Sequence, residues 1–85
     1  MEKKISYPQY RKYRNGKNYF KVISVSELEE IQFVGSKCFV HRLEAKILPD
    51  RNFIHDLIFD FSENALEIPE KEYLDVLHKC SSGKP

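Results

Sequence analysis

The densest chemistry of the 85-residue chain lies in its first quarter, where Tyr7, Tyr10, Arg11, Lys12, Tyr13, Arg14, Lys17, Tyr19 and Lys21 interleave bases with phenol rings. Lys and Arg neutralise phosphates, and tyrosine rings give stacking faces to unpaired bases. The segment therefore reads as a candidate surface for single-stranded nucleic acid or another anion, with Arg11, Tyr13, Arg14, Lys17, Tyr19 and Lys21 as the contacts. On an extended strand Arg11 and Tyr13 share one face, while Tyr10, Lys12 and Arg14 share the other. No established nucleic-acid motif accompanies them. The commoner explanation is a solvated edge hairpin, where Lys and Arg deter edge-to-edge aggregation.

A second set of residues suggests metal. Cys38 and His41, with His78 and Cys80, supply two thiols and two imidazoles, the donors of a structural zinc site. On a strand, however, positions 38 and 41 face opposite ways, so the spacing argues against convergence. A third set could move protons: His55 and Asp56 with Asp60, or His41 with Glu44. Adjacent helical residues diverge by about 100°, and no nucleophile is positioned to complete either group. His41 falls on the more apolar side of its strand, where a hydrogen-bonded histidine at the core edge is expected. No catalytic residue, metal ligand or cofactor is assigned, and the chain is expected not to be an enzyme.

Composition limits the frame for these residues. A chain this short makes one domain and buries only about 60–65% of its unfolded surface. Modest stability follows, and a second copy covering further apolar surface is one remedy. Trp is absent, so the six Phe and five Tyr must anchor the core. Net charge is +1, but residues 1–21 hold seven bases against one acid, a balance of +6, leaving −5 for residues 22–85. Such asymmetry points either to an electrostatic contact surface or to a basic segment lying against an acidic one within the fold. No stretch has the apolar length of a signal peptide or membrane span, and Cys38 and Cys80 are too few for a disulfide framework. They read as free thiols in a reducing compartment, and the cytosol is the expected location.

The elements that must position these side chains are readable from periodicity. Asn15-Gly16 between Tyr10–Arg14 and Lys17–Ser24 predicts a hairpin with a type I′ turn. Glu29 to Val34 forms a further strand, preceded by a turn at Ser24–Leu28, or by one helical turn if Ser26 and Glu29 form a capping box. Lys37 to Ile47 alternates, with Phe39, His41, Leu43, Ala45 and Ile47 on the side assigned to the core. Asp50 as N-cap starts a helix over 51–61, for which a strand is the rival. Residues 65–68 add a short extended segment. Pro69 opens a last helix with Tyr73, Leu74 and Leu77 as its apolar stripe. The fold class is α+β: an antiparallel meander of about four strands packed by one or two C-terminal helices. Residues 1–9 form an arm, 10–80 the domain and 81–85 a loose tail.

The strings YRKYRNGKNYFKVI, EEIQFVG, HRLEAKILPDRNFIHDLI and EIPEKEYLDVL resemble short uncharacterised proteins encoded by Bacteroidetes bacteria. The resemblance spans residues 10–77 and implies a bacterial cytosolic protein without assigning an activity. Leu74, Leu77 and the Phe-rich stretch 53–61 exceed what one small core readily hides, and apolar area rimmed by charge marks an interface. The leading expectation is a non-enzymatic interaction module whose partner is another protein or a second copy, with no membrane contact. Nucleic-acid binding through the N-terminal hairpin is the alternative.

Overall fold

The computed structural model describes residues 5–82. Among these, strands β1 (Gln9–Tyr13), β2 (Asn18–Ser24), β3 (Glu27–Val34), β4 (Lys37–Glu44) and β5 (Ala65–Glu67) build one antiparallel sheet. Helix α1 (Leu48–Phe59) separates β4 from β5, and α2 (Glu70–Ser82) follows β5. The α+β class and the antiparallel sheet read from the sequence are what the chain adopts. The strand order is β4-β3-β2-β1-β5. The four-strand meander is therefore extended by a short fifth strand that returns beside β1.

The first hairpin forms at Asn15-Gly16, though not with the expected turn. Only Gly16 takes a positive φ, +75°, while Gly16 N–H donates to Tyr13 O at 2.9 Å and Lys17 N–H to Asn15 Oδ1 at 2.8 Å. The asparagine side chain closes the loop without a positive φ of its own, so a longer turn replaces the two-residue I′ form. The β3–β4 hairpin is the two-residue one. Its loop Gly35-Ser36 joins the pair Val34 and Lys37, with Gly35 at φ +62°.

The two helices lie on opposite faces of the sheet. Strand alternation sends Phe20, Val22 and Leu28 to one face, where Ala45 and the α1 residues Ile54, Leu57 and Ile58 complete a cluster. It sends Tyr10 and Ile31 to the other, where Ile68 and Tyr73 close a second cluster with half-buried Val76, Leu77 and Cys80. The stripe of α2 thus runs through Val76 and Cys80, and Leu74 lies outside it at 44% exposure. Helix α1 begins at Leu48, two residues before the expected cap. Ile47 is the N-cap, and Asp50 sits in the first turn with its Oδ2 accepting from Lys46 N–H at 3.4 Å. The turn before β3 is only Val25-Ser26, so the capping-box alternative there is not realised. Ile5 and Tyr7 pack on the first cluster, and α2 continues two residues past position 80. No described helix is long and apolar enough to cross a membrane.

Candidate interaction surface

The N-terminal bases do not share one surface, because β1 and β2 are interior strands rather than an edge. Arg11 is 3% exposed. Its Nε donates to Leu57 O at 2.9 Å, Nη1 to Tyr10 O at 2.9 Å, and Nη2 to Gln9 Oε1 at 2.9 Å and Ile58 O at 3.5 Å. The guanidinium also stacks over Phe61, 4.1 Å from the ring centroid. The last turn of α1 carries no base of its own, so a strand residue supplies the cation that its carbonyl end favours. Desolvation pulls Arg11 below its ordinary value, and Glu67 across the β1–β5 pair opposes that pull.

The other predicted contacts are scattered. Tyr13 is half-buried on the α1 face, edge-on to Phe20 at 4.9 Å. Arg14 donates from Nε and Nη2 to Ser62 O at 3.2 and 2.7 Å, tying down the loop before β5. Lys17 is exposed at the hairpin tip. Tyr19 and Lys21 face α2, Tyr19 lying against Phe33 at 6.1 Å. Two bases of the +6 segment meet acids within the fold: Lys12 Nζ reaches Glu72 Oε2 at 2.9 Å, and Lys21 sits across from Glu29. The hairpin is therefore interior to the sheet and not a solvated edge, and its bases and tyrosines are divided between the two faces.

The cysteines are also corrected. Cys38 and Cys80 are joined as a disulfide with Cα atoms 5.7 Å apart, within the ordinary span. Both sulfurs are thereby removed from any metal set, and neither is the free thiol that pointed to a reducing compartment. His41 is exposed rather than at the core edge, its Nε2 3.2 Å from Gln32 Oε1 and its ring stacked on Phe39 at 6.3 Å. Phe39 itself is 44% exposed, because α1 lies over β2 and leaves this side of β4 open. His55 lies against Phe59 at 4.7 Å on the outer side of α1.

The sheet edges are β4 and β5, and they differ in length and cover. β5 has three residues, whereas β4 has eight and exposes Phe39 at 44% and Val40 at 45%, one on each face. Ala45 N–H donates to Ser26 O at 2.7 Å, and the β3–β4 register continues without a shift to Val34 and Lys37. Since hydrogen-bonded pairs alternate in an antiparallel ladder, positions 37, 39, 41 and 43 bond to β3 as position 45 does. The N–H and C=O groups of Cys38, Val40, Arg42 and Glu44 accordingly point outward, away from the sheet. Sequence alternation located the strand but could not show that its neighbour on one side was missing.

A cleft of about 1060 Å³ opens at the end of the sheet where both hairpins turn. Tyr19, Phe33 and Val76 line it, together with Lys37, Cys38, Lys79 and Cys80. Among the described residues no group of three or more His, Cys, Asp or Glu side chains gathers as a metal set. No family model matches the chain, and no curated protein or solved structure matches it either.

Proposed function

We propose that the chain is a non-enzymatic self-association module in which β4 pairs antiparallel with β4 of a second copy. The supporting observation is the eight-residue edge with four consecutive outward-facing hydrogen-bonding positions, Cys38, Val40, Arg42 and Glu44. An unpaired edge of this length is a template for strand addition. A twofold axis perpendicular to the sheet keeps like faces together, and only a register centred on His41 uses all four outward positions. That register sets Phe39 of one copy opposite Leu43 of the other and Val40 opposite Arg42. Helix α2 leans on β4 near Cys38, so the antiparallel arrangement sends the two α2 ends apart and avoids a clash. The inward ladder to β3 is left intact.

Sedimentation at micromolar concentration tests this reading through the centre of the interface. The two copies of residue 41 form a closely spaced non-hydrogen-bonded pair, where like charges repel. His41→Glu and His41→Lys should each sediment as monomers, and a mixture of the two should recover a dimer. Val40→Pro removes only an outward N–H and should also give a folded monomer. A wild-type chain that stays monomeric at every concentration, or variants that dimerise as well as it does, would sink the proposal.

A further inference from the structure

The Cys38–Cys80 disulfide is not sealed within a core. Both cysteines line the open cleft between the hairpin tips and α2, and each follows a lysine, Lys37 and Lys79, that lines it too. No Asp or Glu of the same chain lines the cleft, and among the described residues neither lysine forms an ion pair. Two lysines and no acid of the same chain thus line the cleft that the half-buried disulfide borders, beside Tyr19, Phe33 and Val76. Such a setting draws anions and stabilises a thiolate.

From this we infer that the cleft is a thiol–disulfide exchange site for small anionic thiols, molecules that carry a carboxylate as well as a sulfhydryl. The incoming thiolate attacks one protein sulfur, forming a new S–S bond while the Cys38–Cys80 bond breaks and the other sulfur leaves with the electron pair. A second thiolate then attacks the mixed disulfide. In sum, two thiols are oxidised to one small disulfide, the protein disulfide is reduced to two thiols, and two protons pass from the small thiols to the protein. The two sulfurs are unequal. Cys80 lies in the last turn of α2, whose partial negative charge disfavours a thiolate there, whereas Cys38 lies on a strand with no helix end to oppose one. Attack therefore falls on Cys80, and Cys38 is the leaving group.

The test treats the intact chain with 3-mercaptopropionate or with neutral 2-mercaptoethanol, traps the products with acid, and maps adducts by mass spectrometry. Rates are compared per thiolate, so that the thiols' own acidities drop out. The anionic thiol should react about three- to tenfold faster at low salt, an advantage that shrinks as salt screens the lysines. The double variant Lys37→Gln, Lys79→Gln should erase it, and the trapped adduct should sit on Cys80. Equal rates for the two thiols, a charge preference that survives both high salt and the double variant, or an adduct chiefly on Cys38 would overturn the inference. Alkylation of both cysteines without any reductant would overturn it too.

Discussion

The two faces of the sheet hold their helices by different means. On the α1 face the contacts are chiefly aliphatic and aromatic, and one buried arginine satisfies the carbonyl end of the helix. On the α2 face the core is tyrosine-rich, and polar tethers surround it. Tyr73 Oη donates to Glu29 Oε1 at 2.8 Å, Tyr10 Oη to Glu70 Oε2 at 3.4 Å, and Lys12 pairs with Glu72. The Cys38–Cys80 bond then adds a covalent link. One basic strand serves both layers. Alternation sends Arg11 to α1 and Lys12 to α2, and each meets negative charge or carbonyl oxygen where it arrives.

If the first face depends on burial, Phe20→Ala should be the most damaging single change, because Phe20 is wholly buried against α1. A loss of about 3–5 kcal/mol in urea unfolding is expected. On the second face the largest effect should come from the covalent link. Replacing Cys38 and Cys80 together by alanine should cost about 2–4 kcal/mol, since the bond closes a loop spanning 42 positions. Equal losses from an α1-face hydrogen bond and from the disulfide would blur the distinction. Arg11→Lys separates shape from charge: it keeps the cation but cannot reach Leu57 O, Ile58 O and Tyr10 O from one planar fork. About 2 kcal/mol of stability should go with those bonds, read from the same denaturant midpoint.

The smallest effect concerns the tyrosines. Burial raises Tyr73 well above its ordinary value, and its hydrogen bond to Glu29 adds to the shift. Tyr10 and Tyr13 are also raised, chiefly by burial. In the unfolded chain these phenols lose their protons from about pH 10, while the folded chain keeps them. The folded state then binds more protons than the unfolded one, so stability is intact below pH 10 and falls as pH rises above it. Tyr73→Phe should cost about 1 kcal/mol at neutral pH and flatten that alkaline decline, as followed by circular dichroism. An unchanged alkaline slope would remove Tyr73 from the account.

What the sequence disclosed was local. Asn15-Gly16 marks its hairpin because the bend is encoded in adjacent residues, and the apolar spacing of Ile54, Leu57 and Ile58 marks α1 in the same way. Arg11 looks like a surface base in the sequence because its environment is made by Leu57, Ile58 and Phe61, more than forty positions away. Nothing in YRKYR separates the residue that is buried from those that stay wet. The sheet order was hidden for a related reason. β5 is three residues long, and its pairing with β1, not any property of its own, moves the basic hairpin from the edge to the interior. The disulfide depends on α2 crossing the sheet far enough to bring Cys80 to Cys38, a geometry that two isolated cysteines cannot announce. Phe39 and His41 look inward-facing in the sequence because alternation identifies a side, not whether a helix covers it.

The fastening of α2 has a mechanical consequence. The helix is held at its start by the strand it continues, with Ile68 N–H donating to Tyr10 O at 3.2 Å, and at its end by the bond to β4. A sideways load on β4 would peel it from β3 rung by rung, beginning at the Glu27–Glu44 end. At Cys38 the peeling meets a stop, and tension passes along α2 to the opposite side of the sheet. The disulfide thus turns an edge that could be unzipped into one end of a strap.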